Sequence, residues 1–202
     1  MADFVLEAVM CKSCGSGLMV EVNDNITYCT NCGSGYEIEE GKMSPIEINF
    51  AAPSIRSDGE IVYKPFWLMK ATVNVTERQA DGGFFKSMFG KADGTGSAEI
   101  NFYIPAFYCD VNKMKKISMA FTASNPVASP QKYNSPLVGF AYSKEDAKKF
   151  CEFILISMEA EKSDMMKTFT YEISYNEISI LGIPFYKHAN GSMQDAVLGL
   201  EI

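Results

Sequence analysis

The sequence predicts an α+β, mostly β protein: a small N-terminal metal-binding ribbon, then a curved antiparallel β-sheet or partly open barrel carrying one main helix. Three observations predict it. Two Cys-x2-Cys pairs echo each other within the first 42 residues, several long stretches alternate apolar with polar residues, and one segment repeats its apolar residues at helical spacing behind a capping signature. A shift in composition places a soft boundary near Lys42 to Pro45, giving regions 1–42 and 43–202.

The ribbon comes first. Cys11-Lys12-Ser13-Cys14-Gly15-Ser16-Gly17 is echoed by Cys29-Thr30-Asn31-Cys32-Gly33-Ser34-Gly35, which implies two equivalent turns. Between them Leu18 to Val22 reads as a strand, Asn23-Asp24-Asn25 as a turn and Ile26-Thr27-Tyr28 as the returning strand.

Past Gly41 aromatic and β-branched residues take over. From Ile61 to Thr76, residues Ile61, Tyr63, Trp67, Met69, Ala71, Val73 and Val75 share one parity, the pattern of a half-buried strand, with Pro65 interrupting it. Strands are also expected over Glu99 to Asp110 and over Phe169 to Tyr186, the latter turning near Asn176. Shorter ones are expected at Ile46 to Phe50, Ile117 to Thr122, Leu137 to Tyr142 and Ala196 to Ile202. Pro65, Pro105 and Pro184 each sit inside an aromatic stretch. Because proline cannot donate to a β-ladder, bulges or bends are expected at all three, with a shared aromatic groove as the functional alternative. The main helix is expected over 144–162. Ser143 and Asp146 form a capping box, and Ala147, Phe150, Cys151, Ile154, Leu155 and Met158 make its apolar stripe.

The cysteine spacing is Cys-x2-Cys-x14-Cys-x2-Cys, with Cys11, Cys14, Cys29 and Cys32 as candidate metal ligands. A two-residue gap lets both sulfurs of a pair reach one tetrahedral ion from a tight turn, and the following glycines accept positive φ. Over Met10 to Ile38 the chain resembles the zinc-ribbon (zinc β-ribbon) family. That resemblance implies one structural Zn2+ per chain, held by four thiolates with no coordination position left to activate water. So small a module is also expected to depend on its metal for folding. The paired knuckles are similar to those of rubredoxins as well, whose pairs stand further apart and hold redox iron. Iron-based electron transfer is therefore one alternative, and nucleic-acid binding, common among zinc ribbons, is another.

Composition weighs on these alternatives. Hydrophobic residues at 47% with 21% charged exclude wholesale disorder. The formal net charge of -7, with four thiolates and a dication adding -2, repels nucleic-acid phosphate and anionic lipid on average. Residues 1–42 contribute seven acids against Lys12 and Lys42, so the ribbon lacks the basic surface that phosphate binding needs. The densest basic run, Lys113, Lys115 and Lys116, reads as solvated surface. The first residues carry two acids and no basic stretch, and no apolar run reaches the length of a membrane span, so a cytoplasmic protein is expected.

Catalytic candidates are few. His188, the one histidine, lies before a turn, and Cys109 and Cys151 read as small buried hydrophobes. Gly90 to Ser97 has glycines but places its lysine before them and lacks a following helix, unlike a phosphate loop. An enzyme is not expected. The segment most suited to touch something is Ala80 to Lys91, where Phe84, Phe85, Met88 and Phe89 form a small helical patch, with Lys86 and Lys91 beside it. Exposed, the patch would meet a partner's groove or a membrane surface. Folded back, it would plug the open end of the sheet. The function expected is that of an adaptor or assembly component working by protein-protein contact, with homo-oligomerisation left open.

Overall fold

A computed structural model describes residues 9–20, 24–90, 93–126, 128–129, 137 and 139–202. Strands β1 (Ile26–Tyr28), β2 (Gly35–Glu39) and β3 (Lys42–Ile46) make a small antiparallel sheet. The larger sheet is built from β4 (Ile48–Ala51), β5 (Glu60–Gly82), β6 (Gly96–Pro105), β7 (Ala128–Ser129), β8 (Ser163–Lys187) and β9 (Met193–Asp195). Helices α1 (Phe84–Phe89), α2 (Val111–Ser124) and α3 (Lys144–Glu161) lie between its strands in sequence. The order is β6-β5-β8-β4-β7 with β9 beside β8, so among the described residues β6 and β7 are the sheet's ends and it does not close into a barrel. It is antiparallel except for β4, which runs parallel to β8.

The alternation read along β5 separates two apolar layers. Tyr63, Trp67, Met69, Ala71, Val73 and Val75 join one core cluster with Ala147, Cys151, Ile154, Leu155 and Met158 of α3, while Phe66 and Leu68 point the other way, into a cluster with Ile117 and Phe121 of α2. Helix α3 starts on the expected capping box: Ser143 accepts from the Asp146 amide at 3.2 Å and Asp146 from the Ser143 amide at 3.2 Å.

Several local expectations are corrected. Ile117 to Thr122 belongs to α2, not to a strand. Met114, Ile117, Ser118, Phe121 and Thr122 are buried at helical spacing, and Asp110 caps the helix by accepting from the amides of Asn112 and Lys113. The domain thus carries two long helices. The second covers the edge strand β6, where Thr122 Oγ1 accepts from the Tyr103 amide at 3.3 Å. No turn forms at Asn176. Lys70 faces Glu177 and Ala71 faces Tyr175, so Asn176 is a bulged extra residue inside one continuous strand, its side-chain Nδ2 donating to Thr72 Oγ1 at 2.9 Å.

The prolines are not bulges. The β5–β8 register runs without a shift from Glu60↔Lys187 to Lys70↔Glu177, through both Pro65 and Pro184. Each turns its own backbone away from the partner strand. The Pro65 carbonyl accepts from the Ala106 amide and that of Pro184 from the Ala196 amide, so the missing N–H of either removes nothing from the β5–β8 ladder.

The stretch expected as a strand from Ala196 to Ile202 opens instead as a turn, closed by the buried Asp195 carboxylate accepting from the amides of Val197, Leu198 and Leu200, and only Glu201 makes a single antiparallel bridge, to Gln194. Leu137 and 139–142 form no strand, and Val138 lies outside the described residues. So does most of the proline-containing stretch Ser124 to Pro136.

Candidate metal centre

Each knuckle closes in the same way, as its sequence echo requires. The Cys11 amide donates to Ser16 O at 2.8 Å and the Gly15 amide to Cys11 O at 2.9 Å; the Cys29 amide donates to Ser34 O at 2.9 Å and the Gly33 amide to Cys29 O at 2.8 Å. Gly15 and Gly33 take φ of 73° and 76°, where a side chain would be strained. The hairpin between the knuckles differs from expectation. Leu18 to Val20 forms no ladder and Glu21 to Asn23 lies outside the described residues, while β1 pairs with β2. Strand β2 in turn pairs with β3, so the small sheet reaches Ile46, past the Lys42 to Pro45 boundary.

This meander brings the four expected sulfurs into one cluster, all within 4.8 Å of one another, with Cys11 and Cys32 at 3.5 Å and Cys14 and Cys29 at 3.6 Å. Four thiolates about 2.3 Å from a central ion stand roughly 3.8 Å apart along a tetrahedron's edge. The cluster therefore fits a tetrahedral metal ion, and an all-sulfur set suits zinc or iron rather than a hard cation.

The surroundings favour ionised sulfur at two positions. The Asn31 side chain, then the hydroxyl and amide of Ser16, pull the Cys14 thiol down to about 5. Burial opposes ionisation of Cys11, yet the Tyr36 hydroxyl and the amides of Ser13 and Cys14 outweigh it and leave that thiol lowered. Cys29 goes the other way, pushed by burial to about 11. A central cation would reverse that penalty, because its charge is the largest in the site.

Tyr36 is the participant the sequence reading missed. Its ring is buried, and its hydroxyl sits 3.3 Å from Cys11 Sγ, 2.7 Å from Ser13 Oγ and 2.9 Å from the Ser13 amide, which donates to it. It directly follows the second knuckle, where the first has Leu18, so the internal echo breaks at the residue that ties the two knuckles together.

Comparison with protein-family models, with curated proteins and with solved structures finds no match for this chain. The functional reading therefore rests on geometry.

The ribbon is docked onto the larger sheet. The Tyr28 ring meets Phe50 of β4 edge-on at 5.3 Å between centroids, and Lys144 at the start of α3 pairs with Glu37 of β2 at 2.8 Å. Ile26 and Tyr28 belong to the same core cluster as Trp67 and α3.

The other candidates fall elsewhere. Phe84 to Phe89 is α1, as its spacing suggested, but it folds inward: Phe85 is fully buried against Phe169 at 5.6 Å, Phe84 and Phe89 are half-buried against the core, and Met88 is exposed. Cys109 and Cys151 lie apart from the sulfur cluster, and burial pushes them to about 11 and about 12, away from the thiolate form a nucleophile needs. His188 sits in a turn closed by its carbonyl accepting from the Gly191 amide. No helix among the described residues is long and apolar enough to cross a membrane.

Proposed function

We propose that this chain is a non-enzymatic, zinc-stabilised β scaffold that acts through protein-protein contacts in the cytoplasm. Zinc is favoured over iron because the two cysteine pairs stand closer together than those of the iron-holding rubredoxins, and the closed four-sulfur set, with no open position, suits a structural ion for a ribbon too small to order itself alone. Reduced thiols suit a reducing compartment.

One observation carries the contact reading. Strand β8 pairs with β4 only at 180–182 and with β9 at 185–187, so along 163–179 one of its edges has no neighbouring strand among the described residues. An open edge is a template for an added strand from another chain, and proteins that do not use one usually blunt it. At the tip of this edge Met165 and Met166 are 55% and 37% exposed, with Met88 of α1 at the same end of the sheet. Methionine is adaptable and recurs at binding surfaces. The occupant proposed is an extended segment of a partner protein.

The test follows from the burial pattern. Changing Phe84, Phe85 and Phe89 together would damage the core, so the working surface is probed with M88K/M165K/M166K instead. Affinity capture with the metal-loaded chain should retain a partner that this variant loses, with metal content and melting temperature unchanged. An identical set of captured proteins would remove the reading. Metal analysis giving one zinc per colourless chain supports the ion assigned; colour and iron would replace it with electron transfer.

A further inference from the structure

Where β5, the start of α2 and the chain's last residues meet the ribbon, a cavity of about 810 Å3 opens. That is within the range of small-molecule sites. Its walls include the aromatic rings of Phe107, Tyr108 and Phe140, with Lys64 and Lys113 as its cationic groups. Tyr108 is 82% exposed, a large aromatic left in solvent at the cavity's edge.

Lys64 is the unusual member. It lies on the face of β5 that points Phe66 and Leu68 into the apolar layer, and it is itself half-buried. Its ammonium stands over the Phe107 ring at 5.5 Å, and no carboxylate pairs with it among the described residues. Burial first, and Lys187 second, push its pKa below the ordinary lysine value. A ring face compensates only part of the hydration lost by a half-buried ammonium.

Two acids also line the cavity, and neither neutralises Lys64. Asp110 is occupied by the Asn112 and Lys113 amides at the head of α2. Asp24 is buried, has a partner of its own, and forms no ion pair with Lys64. The chain's net charge of -7 opposes an approaching anion only weakly at this range, because a screening length of about 8 Å leaves the nearest charges to decide.

We infer that this cavity binds a small anionic ligand with an aromatic or apolar body, its acid group meeting Lys64 and its body lying against Phe107, Tyr108 and Phe140. The carboxylate, sulfonate or phosphate supplies the charge that Lys64 lacks, and the rings exclude water from the pair. This site is independent of the open β8 edge and of the sulfur cluster.

The probe is anilinonaphthalene sulfonate, an aromatic anion whose emission rises and shifts to the blue on leaving water. Titrated into the metal-loaded full chain, it should bind saturably at one site. K64M should weaken binding by roughly tenfold or more while K64R retains it, since the loss of one ion-pair partner exceeds the 1.4 kcal/mol that a tenfold change represents. A second measurement needs no variant: phenylnaphthylamine, the same body without the sulfonate, should bind the unaltered chain at least about tenfold more weakly. Equal affinity for the two probes, or equal affinity of the unaltered chain and K64M for the anion, overturns the inference.

Discussion

Arg78 and Glu159 form an ion pair with side-chain exposures of 1% and 0%, Arg78 Nε standing 2.7 Å from Glu159 Oε1. Neither group is left short of partners. Arg78 also donates to the carbonyls of Ala80 and Gly82, while Glu159 accepts from the Phe85 amide and the Ser163 hydroxyl, each at 3.1 Å. One pair therefore ties together the end of β5, the start of α1, the end of α3 and the start of β8. It is what turns Phe85 inward, because the amide that seats that residue is held by the carboxylate.

Breaking the pair from one side strands a buried charge. R78M should cost about 3 to 5 kcal/mol in urea denaturation, and R78M/E159L should recover part of it, the Phe85 amide still lacking its acceptor. Trypsin should cut R78M at Lys86 faster than the unaltered chain. A loss within measurement error for R78M would mean the pair contributes nothing to ordering α1.

The capping box of α3 predicts a pH dependence with a definite sign. Hydrogen bonds from the Ser143 side chain, and then from its backbone, hold the Asp146 carboxyl below its ordinary value. A depressed folded pKa contributes stability that is fully present above the unfolded aspartate value and is lost as pH falls through the folded one. D146N should therefore melt below the unaltered chain at neutral pH, and the gap should narrow as the solution is acidified past the aspartate range. S143A should cost about 1 kcal/mol at neutral pH. Parallel melting curves of D146N and the unaltered chain across that range would refute the assignment.

The reach of the sequence reading followed the distance over which each feature is encoded. The four-sulfur cluster was legible because each pair is specified within four residues by its own turn, and α3 because Ser143 and Asp146 announce it. Helix α2 was missed although Met114, Ile117, Phe121 and Thr122 keep helical spacing. The six residues from Ile117 to Thr122 are too short a window to separate helix from strand, and the signal that decides is the cap at Asp110, read as the end of a strand. Asn176 looked like a turn because a polar residue interrupts the alternation there; a bulge interrupts it equally, and only the facing strand β5 distinguishes the two. Tyr36 and the Arg78–Glu159 pair were beyond local reading, the latter joining residues 81 positions apart.

Thiol reactivity should sort the six cysteines into two classes. With metal bound, the ribbon thiolates are coordinated and slow to alkylate. Once a chelator removes the ion and the ribbon opens, its four thiols, Cys14 among them and exposed already, should react first. Cys109 and Cys151, raised to about 11 and about 12, should stay slow at neutral pH until denaturant is added. A pKa of about 11 leaves only about one thiol in ten thousand ionised at pH 7. Alkylation followed by peptide mass measurement reads the order directly, and labelling of Cys109 as fast as Cys14 would contradict it.

Metal removal should act on the ribbon before the sheet. Among the described residues, strands β1 to β3 enclose a core of Cys11, Cys29 and Tyr36 with Leu18, Cys32 and Met43 packed against it, three of these six being candidate metal ligands, so without the ion little apolar burial remains to hold them. The larger sheet keeps its two layers, since most of the cluster that Ile26 and Tyr28 join, Trp67, Met69, Phe102 and the α3 stripe among them, comes from the sheet and α3 themselves. It loses the Tyr28 ring against Phe50, the Ile26 side chain from the shared cluster and the Glu37–Lys144 ion pair. That junction is tight: a Cβ built on Gly182 would stand 2.5 Å from Phe50 Cδ1, so G182A should displace the Phe50 ring and cost about 1 to 3 kcal/mol. Hydrogen exchange after chelation should show amides of 26–28 and 35–46 losing protection while those of 66–75 and 147–158 keep theirs. Simultaneous loss from both sets would instead make ribbon and sheet one cooperative unit, with Tyr28 and Phe50 as its hinge point.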